Sequence, residues 1–369
     1  MKQPIRFVDL IERYAEEKDE IHACVERVLS KGHLILTQEV QELEEKICDF
    51  CSIKNCVSLN SGTDALMMGL WGCGIGRGDE VIVPNISFIA SIAAIVHVGA
   101  TPVICDVGDD FLIDVNKIES LITEKTKAIM PVHWTGRTCD MSAINKIAES
   151  YNLLVVEDAA QSMGSYVNGK HSGTTGIFGA ISCHPLKNFN ALGDGGLLIT
   201  DDDTLAKKVR LYRNHGLRAR DDVEFFGVNS RLDVISAEVL KFRLTKLNKV
   251  NEQRNKNAKL YMDKLSGLSQ VSFVPRKSGE IEARVMFLGL FQDRDKLQSA
   301  LKECGVETLI YYGRPLSHHK ASIDKGLNKG SYPVSEKICS SVLALPHHQY
   351  ITEEQIEYVC ENIIEFYSK

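Results

Sequence analysis

The stretch SCHPLKNFNALGDGG, from Ser182 to Gly196, sets one lysine, Lys187, among small and polar residues and then has three glycines within four positions. A lysine amine can act as a nucleophile toward a carbonyl carbon. The glycines carry no side chain, so they leave space beside the lysine for a ligand to approach the backbone. The stretch therefore suggests covalent chemistry at Lys187.

A second candidate is Asp158, which follows directly after the apolar run LLVVE. A carboxylate at that position is costly to bury unless a cation or several hydrogen-bond donors face it. Its presence indicates a specific positive partner. The alternative is that Asp158 is a helix N-cap, a position that Asp favours.

The segment SGTDAL follows an earlier apolar run, CVSLN. We expect Gly62 to permit a tight turn and Thr63 to cap the helix that follows, which leaves free backbone N–H groups at a positive helix end. Such a turn can bind a phosphate. An ordinary strand-to-helix turn is the alternative.

A phosphate site, an isolated carboxylate and a lysine together suggest pyridoxal 5′-phosphate (PLP) as cofactor. In this hypothesis Lys187 holds the cofactor as a Schiff base and later, as a free amine, moves the substrate proton. Asp158 keeps the ring nitrogen protonated, so that the ring can accept electrons.

The elements that must position these residues are predicted to form an α/β fold. Short apolar runs alternate with amphipathic segments, which is typical of βα units on a mostly parallel sheet. In such sheets ligands bind beyond the carboxyl ends of the strands. Seven strands are predicted, at residues 56–59, 80–84, 101–107, 127–133, 153–158, 180–183 and 196–200.

The residue pattern changes after about residue 230, where the alternating apolar runs give way to a long charged stretch that is predicted to be helical. A further strand, ARVMFLGLF, and a helix, DRDKLQSALKECG, then indicate a separate α+β region. We therefore expect an N-terminal arm and large domain over residues 1–250 and a smaller C-terminal domain over residues 251–369. The arm is a predicted helix that ends near Gly32.

The composition excludes several classes of protein. A formal net charge of −6 argues against a nucleic-acid binder, which needs a basic face. No apolar run has the length of a membrane span, and the opening MKQPIRFVDL lacks the apolar core of a signal peptide. The 11 cysteines are scattered, so we expect reduced thiols and a cytoplasmic protein, with metal or redox chemistry at Cys48 and Cys51 as a minor alternative.

Nearly the whole chain resembles the DegT/DnrJ/EryC1/StrS family of PLP-dependent sugar aminotransferases. The resemblance is carried by the blocks SGTDAL, GDEVIVPNISFIAS, GATPVICDV, TKAIMPVHWTGR, VVEDAAQSMGS, HPLKN, GDGG, RNHG and GVNSRLD. It implies the fold of the aspartate aminotransferase class (fold type I), with a large, mostly parallel seven-stranded sheet and a smaller C-terminal α+β domain.

The resemblance also implies roles for individual residues. Lys187 is the Schiff-base lysine, and Asp158 is the partner of the pyridine nitrogen. Each further residue also suits an ordinary role, as core aromatic, strand-end hydroxyl or helix cap. The implied positions are Gln161 near the ring hydroxyl, Gly62, Thr63 and Ser182 at the phosphate, Phe88 on the ring face, and Asn229 at the phosphate of a neighbouring subunit. The last of these implies a homodimer with shared active sites.

The sequence departs from the family pattern in two places. The family has Phe-Ser-Phe where this chain has Ile181, Ser182 and Cys183, so the serine is kept while its surroundings differ. In YYGRPLSHHKA, Ser317 stands at an expected histidine, and we expect His318 to replace it in binding substrate. This segment lines the substrate pocket in the family, so the substrate is less well defined than the cofactor.

The resemblance favours an aminotransferase that converts a nucleotide-linked keto sugar to an amino sugar, with glutamate as amino donor. The N-terminal segment is more similar to the branch that acts on 3-keto-6-deoxy sugars than to the 4-keto branch. A smaller phosphorylated ketone is an alternative substrate. A sugar dehydratase would have histidine in place of Lys187, and a non-catalytic regulatory protein that keeps the fold has little need of the Lys187 and Asp158 pair.

The diphosphate of such a substrate needs a local basic site on a protein with a net negative charge. The segment RNHGLRARDD is the densest candidate, and we expect Arg218 and Arg220 to bind substrate. The alternative is a solvated basic turn that Asp221 and Asp222 balance.

Overall fold

The computed structural model describes residues 4–275 and 279–369. The strands in these ranges are β1 Asn55–Leu59, β2 Glu80–Pro84, β3 Thr101–Cys105, β4 Thr126–Ile129, β5 Leu154–Asp158, β6 Tyr166–Val167, β7 Lys170–His171, β8 Phe178–Ser182, β9 Gly196–Thr200, β10 Leu217–Ala219, β11 Asp222–Val223, β12 Val271–Ser272, β13 Glu280–Ile281, β14 Phe287–Phe291 and β15 Val342–Leu345.

The helices lie mainly between these strands. They are α1 Leu10–Leu29, α2 Gln38–Cys51, α3 Gly62–Gly72, α4 Ala90–His97, α5 Val115–Ile118, α6 Met141–Tyr151, α7 Asp203–Tyr212, α8 Val234–Leu244, α9 Leu247–Leu265, α10 Arg294–Glu303, α11 Lys320–Asp324, α12 Pro333–Ser341 and α13 Glu353–Ser368. Within the described ranges, none of these helices combines the length and apolarity that crossing a membrane requires.

The predicted seven-stranded sheet is confirmed, with the strand order β1-β9-β8-β5-β4-β2-β3. The strand pairs are parallel except at β9, which runs antiparallel to both β1 and β8. Gly196, the first residue of β9, pairs with Leu59 on one side and Ser182 on the other. The start of β9 and the carboxyl ends of β1, β5 and β8 therefore meet at one edge of the sheet.

Local sequence signals set the ends of several helices. Asp9 caps α1 by accepting hydrogen bonds from the backbone N–H groups of Ile11 and Glu12. The expected C-cap at Gly32 is wrong, because α1 ends at Leu29 with Ser30 as its C-cap, and Gly32, where φ is 68°, lies in the turn that follows. The expected cap of α3 is wrong. Ser61, rather than Thr63, is the N-cap, because the Ser61 side chain accepts from the N–H of Asp64.

The charged stretch after residue 230 consists of two helices, α8 and α9. The first residue of α9, Leu247, packs in the core beneath β9, whereas Tyr261 and Leu265 near its end pack with α10, α13 and β14. The smaller C-terminal sheet has the order β12-β14-β15. Residue 250, where the sequence analysis divides the chain, lies in the first turn of α9, and the division itself stays a prediction.

Candidate active site

A cavity of about 320 Å³ opens at the edge where β1, β5 and β8 end. Its lining combines residues from several strands and loops that are far apart in sequence. Seven of the predicted site residues line it: Gly62, Thr63, Phe88, Asp158, Gln161, Ser182 and Lys187.

Asp158 is the last residue of β5, and only 4% of its surface is exposed. Its Oδ2 atom accepts a hydrogen bond of 2.6 Å from Ser91 Oγ, and its Oδ1 atom accepts one of 3.2 Å from the N–H of Ala160. Burial raises the pKa of this carboxyl above its ordinary value, while these two bonds and the charge of Lys187 oppose the shift. The carboxylate thus has capacity for a further positive partner in the cavity.

Lys187 lies in the loop between β8 and β9, and its ammonium group is desolvated in the cavity. Burial lowers the pKa of this group to about 8, and the charge of Asp158 limits the shift. At pH 7 roughly a tenth of Lys187 is therefore a neutral amine, far more than for a lysine with an ordinary pKa. A neutral amine is the form that attacks an aldehyde and accepts a proton.

Two buried arginines hold the loop that carries this lysine. Arg243 donates to the carbonyl of Asn190 at 2.7 Å, and Arg13 donates to the carbonyl of Asn188 at 3.4 Å. Glu17 joins the two, since it forms ion pairs with Arg243 at 2.7 Å and with Arg13 at 3.4 Å. Helices α1 and α8 therefore fix the backbone that follows the lysine.

The start of α3 lies directly against the ends of β8 and β9. A Cβ atom on Gly62 would lie 2.9 Å from Ser182 Cβ, and one on Gly196 would lie 2.2 Å from the carbonyl carbon of Ser61. This close approach explains both glycines and places the N–H groups of the first α3 turn near the Ser182 hydroxyl. Free N–H groups at a helix N-terminus, with a hydroxyl beside them, form a site that suits a phosphate.

Phe88 and Gln161 form a further part of the lining. The Phe88 ring is 54% exposed, and its centroid lies 6.3 Å from that of Tyr312. The Gln161 side-chain oxygen accepts a hydrogen bond of 2.9 Å from the N–H of Thr135, which orients its amide in the cavity that Asp158 also lines. The cavity thus has an aromatic face available for stacking and an oriented amide group.

Four other predicted residues lie outside the lining of this cavity: Asn229, Arg218, Arg220 and His318. All four are exposed. Arg218 forms ion pairs with Asp222 at 3.1 Å and with Glu224 at 3.8 Å, and His318 Nε2 lies 3.4 Å from a Glu336 carboxylate oxygen. Asn229 accepts a hydrogen bond of 2.9 Å from Arg231. Within one chain, these four residues therefore lie outside the cavity that the other seven predicted residues line.

Several residues of the lining were not predicted from the sequence. Phe7 and Val8, which precede α1, carried no signal in the sequence because a segment so far from the motifs reaches the cavity only through tertiary folding. Asp194 lies inside the quoted glycine-rich stretch, and Ser87 lies directly before Phe88, so proximity to a motif could have identified both. Tyr312 belongs to the segment that was expected to line the substrate pocket.

Comparison with known proteins matches nearly the whole chain to one protein family. The model of the DegT/DnrJ/EryC1/StrS aminotransferase family matches residues 15–364. A dTDP-3-amino-3,6-dideoxy-alpha-D-galactopyranose transaminase from Aneurinibacillus thermoaerophilus is 39% identical over 97% of this chain and 98% of its own length. A protein from Geobacillus stearothermophilus named pleiotropic regulatory protein is 37% identical over 98% of each chain.

Solved structures agree with this match. The DesV protein of S. venezuelae, solved in complex with a ketimine intermediate, has a TM-score of 0.97 and 35% identity, with 100% of both chains covered. NtdA from Bacillus subtilis, solved with bound cofactor PMP, has a TM-score of 0.93 and 30% identity over 100% of this chain and 86% of that one. The chain therefore belongs to the DegT/DnrJ/EryC1/StrS aminotransferase family and is a PLP-dependent enzyme that transfers amino groups.

Proposed function

We propose that this enzyme transfers an amino group from glutamate to the C3 keto group of a deoxy sugar carried on a nucleoside diphosphate. The observation that supports it most is that Lys187 and Asp158 face one cavity, with the start of α3 at the same sheet edge. The Aneurinibacillus relative is a transaminase named for a 3-amino sugar, which supports the C3 position, as does the resemblance of the N-terminal segment of this chain.

The residues of the cavity fit PLP. We assign the phosphate to the N–H groups of Gly62 and Thr63 and to the Ser182 hydroxyl, since a helix N-terminus favours a dianion. We assign the ring face to Phe88, whose side chain is open to the cavity. Gln161 would then lie at the ring hydroxyl, and its amide is already oriented by the backbone of Thr135.

The chemistry divides between the cofactor and two side chains. PLP, when bound, draws electrons from the substrate carbon that loses its proton. Lys187 would hold the cofactor covalently, and its free amine would move the proton between the substrate carbon and the adjacent carbon of the cofactor. A pKa of about 8 suits this exchange, because the amine then gains and loses a proton easily near neutral pH. Asp158 pairs with the protonated ring nitrogen.

We further propose that the active unit is a homodimer. Large apolar side chains are exposed on both sides of Lys187, at Leu186 and Leu192, and just before Asn229, at Phe226 and Val228. Phe226 is 98% exposed, which is unusual for a large apolar side chain on a free surface. A second copy that covers these residues would bring its own Asn229 to the cavity of the first.

A mixing experiment tests the shared site. Lys187→Ala and Asn229→Ala subunits should each be nearly inactive alone. After subunit exchange, mixed dimers should regain a measurable fraction of wild-type activity, because one of their two sites has both residues intact. Exchange without any recovery of activity would contradict the shared site.

A substrate panel tests the proposed reaction. Purified holoenzyme is incubated with glutamate and 3-keto nucleotide sugars, 4-keto nucleotide sugars or a small keto phosphate, and 2-oxoglutarate is measured. We expect the highest kcat/KM with a 3-keto nucleotide sugar. A clear preference for the small keto phosphate would establish the alternative substrate class instead.

A regulatory role beside catalysis is the second candidate, and the name of the Geobacillus relative favours it. The absorbance of the purified protein tests the catalytic part. A coenzyme band that disappears on treatment with borohydride is expected, whereas a colourless protein that stays inactive with added PLP would leave the regulatory role alone.

We place the protein in the cytoplasm, because most of its cysteines are buried side chains scattered through the core, which a reducing compartment favours. We also keep the division into an N-terminal arm with a large domain over residues 1–250 and a smaller domain over residues 251–369. Separate packing of the two ends of α9 supports that division.

A further inference from the structure

A short chain of hydroxyl groups leads from α4 to Asp158. Ser91, the second residue of α4, is fully buried, and its Oγ lies 2.6 Å from Asp158 Oδ2. Ser87 is 4% exposed, and its Oγ lies 2.7 Å from Ser91 Oγ. Ser87 lines the cavity, whereas Ser91 lies behind it.

The chemistry of these groups fixes the direction of the hydrogen bonds. An ionised carboxylate only accepts hydrogen bonds, so the Ser91 hydroxyl must donate to Asp158. Each hydroxyl has one hydrogen to donate, so the bond between the serines must be donated by Ser87. With Asp158 ionised, the chain therefore runs from Ser87 to Ser91 to Asp158.

We propose that Ser91 is a positioning residue that holds the Asp158 carboxylate charged and oriented toward the pyridine nitrogen of the cofactor, with Ser87 as its supporting donor. This inference rests on the role of Asp158 given under the proposed function. Ser91 touches neither cofactor nor substrate and acts through Asp158. One turn of chain, residues 87–91, thus supplies the stacking ring of Phe88 and the support of the carboxylate.

Other groups act on Asp158 from the elements around it. Burial raises the pKa of this carboxyl, and Ser91 gives the largest opposing effect, followed by the N–H of Ala160 and the charge of Lys187, with a smaller electrostatic effect from His133. Tyr312 also lies close enough for its phenol to be affected by Asp158. Removing the Ser91 hydroxyl leaves these groups in place, so the variant removes only the two hydrogen bonds of that hydroxyl, to Asp158 and to Ser87.

The test compares PLP with its 1-deaza analogue, in which a carbon replaces the pyridine nitrogen. Ser91→Ala should weaken PLP binding to the apoprotein by about tenfold, as for loss of a hydrogen bond to a charged group. It should leave binding of the deaza analogue unchanged, because that ring has no nitrogen for Asp158 to hold. Ser87→Ala should weaken PLP binding by about two- to threefold.

Two further variants control the experiment. Ser91→Thr keeps the hydroxyl and should restore PLP affinity. Thr200→Val removes a buried hydroxyl that donates to the Ile177 carbonyl, also at 2.6 Å, but lies away from the cavity, and it should change neither affinity.

The outcomes separate this inference from the role of Asp158. The first case is that Asp158→Asn weakens the binding of PLP but not of the deaza analogue. In that case, the inference is overturned if Ser91→Ala weakens both equally or weakens neither. If Asp158→Asn also affects both cofactors equally, the assigned role of Asp158 is wrong as well.

Discussion

Two carboxylates stand next to each other at the end of β5, and their surroundings differ completely. Successive residues of a strand point to opposite faces of the sheet, so Glu157 and Asp158 face opposite ways. Glu157 is fully buried and accepts hydrogen bonds from the N–H groups of Gly173, Thr175 and Gly176, at 2.8, 2.7 and 2.6 Å.

Glu157 also accepts a bond of 2.7 Å from His133 Nε2, which carries the proton because His133 Nδ1 accepts from the N–H of Cys139. These bonds hold the pKa of Glu157 below its ordinary value despite complete burial. Asp158 has two donors, and burial raises its pKa. A fully bonded carboxylate supports the fold, whereas an incompletely bonded one facing a cavity is available for a ligand.

Lys187 lines the same cavity as Asp158, and its loss should have the largest effect on catalysis. Lys187→Ala removes both the covalent attachment and the proton transfer, so kcat should fall by at least about 10³-fold while the fold persists. Steady-state kinetics and circular dichroism measure the two properties. The control, Lys170→Ala, changes an exposed lysine of β7 and should keep wild-type kinetics. Near wild-type turnover in Lys187→Ala would refute its role.

Asp158→Asn sharpens the comparison on the cavity side. It removes the charge that pairs with the ring nitrogen, so kcat should fall on the order of 10²-fold. Because the pKa of Asp158 is raised in the folded protein, its ionised form lowers the free energy of unfolding at neutral pH. This loss of stability disappears as pH falls through the folded pKa toward the ordinary value of 3.8. The apoprotein of the variant should therefore be at least as stable as wild type at pH 7. Unchanged activity would mean that Asp158 is only structural.

Glu157→Gln should show the opposite pattern. It breaks a buried, fully bonded charge and should reduce the free energy of unfolding at pH 7 by about 3 kcal/mol. The folded pKa of Glu157 lies below the ordinary 4.5, so its stabilisation is present above about pH 4.5 and is lost as pH falls through the folded pKa. Urea titrations should thus show the two proteins converging in acid. If Glu157→Gln kept its stability but lost kcat, Glu157 would be the functional carboxylate, contrary to this account.

The glycines at the same edge of the sheet allow a matched pair of substitutions. Gly196→Ala places a Cβ atom 2.2 Å from the Ser61 carbonyl group and should destabilise the protein by about 3 kcal/mol and weaken PLP binding. Gly193→Ala meets no atom within 4 Å and should change stability by less than about 0.5 kcal/mol. Thermal unfolding with and without PLP measures both. Equal effects would show that the close approach at Gly196 is unimportant.

The smallest expected effect is at the exposed hairpin of β10 and β11. Arg218→Ala or Arg220→Ala should raise KM for the keto sugar by about fivefold and leave the half-reaction with glutamate unchanged, because glutamate has no diphosphate. Lys259→Ala removes an exposed cation that pairs with Asp263 four residues on, as Arg218 does with Asp222, and should have no effect. Equal losses in both half-reactions would place the diphosphate elsewhere, most simply at Arg314 to Lys320.

The sequence predicted the sheet and the centre of the cavity well, because both depend on local signals. Apolar runs mark the strands, and a polar residue directly after such a run, as at Asp158, marks the edge where ligands bind. Glu157 received no attention, although it precedes Asp158, because its donors come from a loop that only the tertiary fold brings near. The cap of α3 was assigned to Thr63 instead of Ser61, since neighbouring hydroxyl residues are equally good caps by type.

Residues that act across long distances in sequence were harder to predict. The arginines that hold the Lys187 loop come from α1 and α8, and Phe7 reaches the cavity from before α1. Asn229, Arg218, Arg220 and His318 were predicted from the family resemblance or from charge alone, and one chain leaves them outside the cavity. The proposed role of Asn229 depends on a second subunit, which no local pattern describes.

The central claim is that Lys187 is the residue that binds the cofactor, and one measurement tests it most directly. The holoenzyme is treated with borohydride, which makes the bond to the cofactor permanent, and is then digested and analysed by mass spectrometry. We expect the pyridoxyl group on the peptide that contains Lys187, with none on that peptide when glutamate has first released the lysine. Attachment to a different lysine, in a protein that still transaminates, would contradict the account.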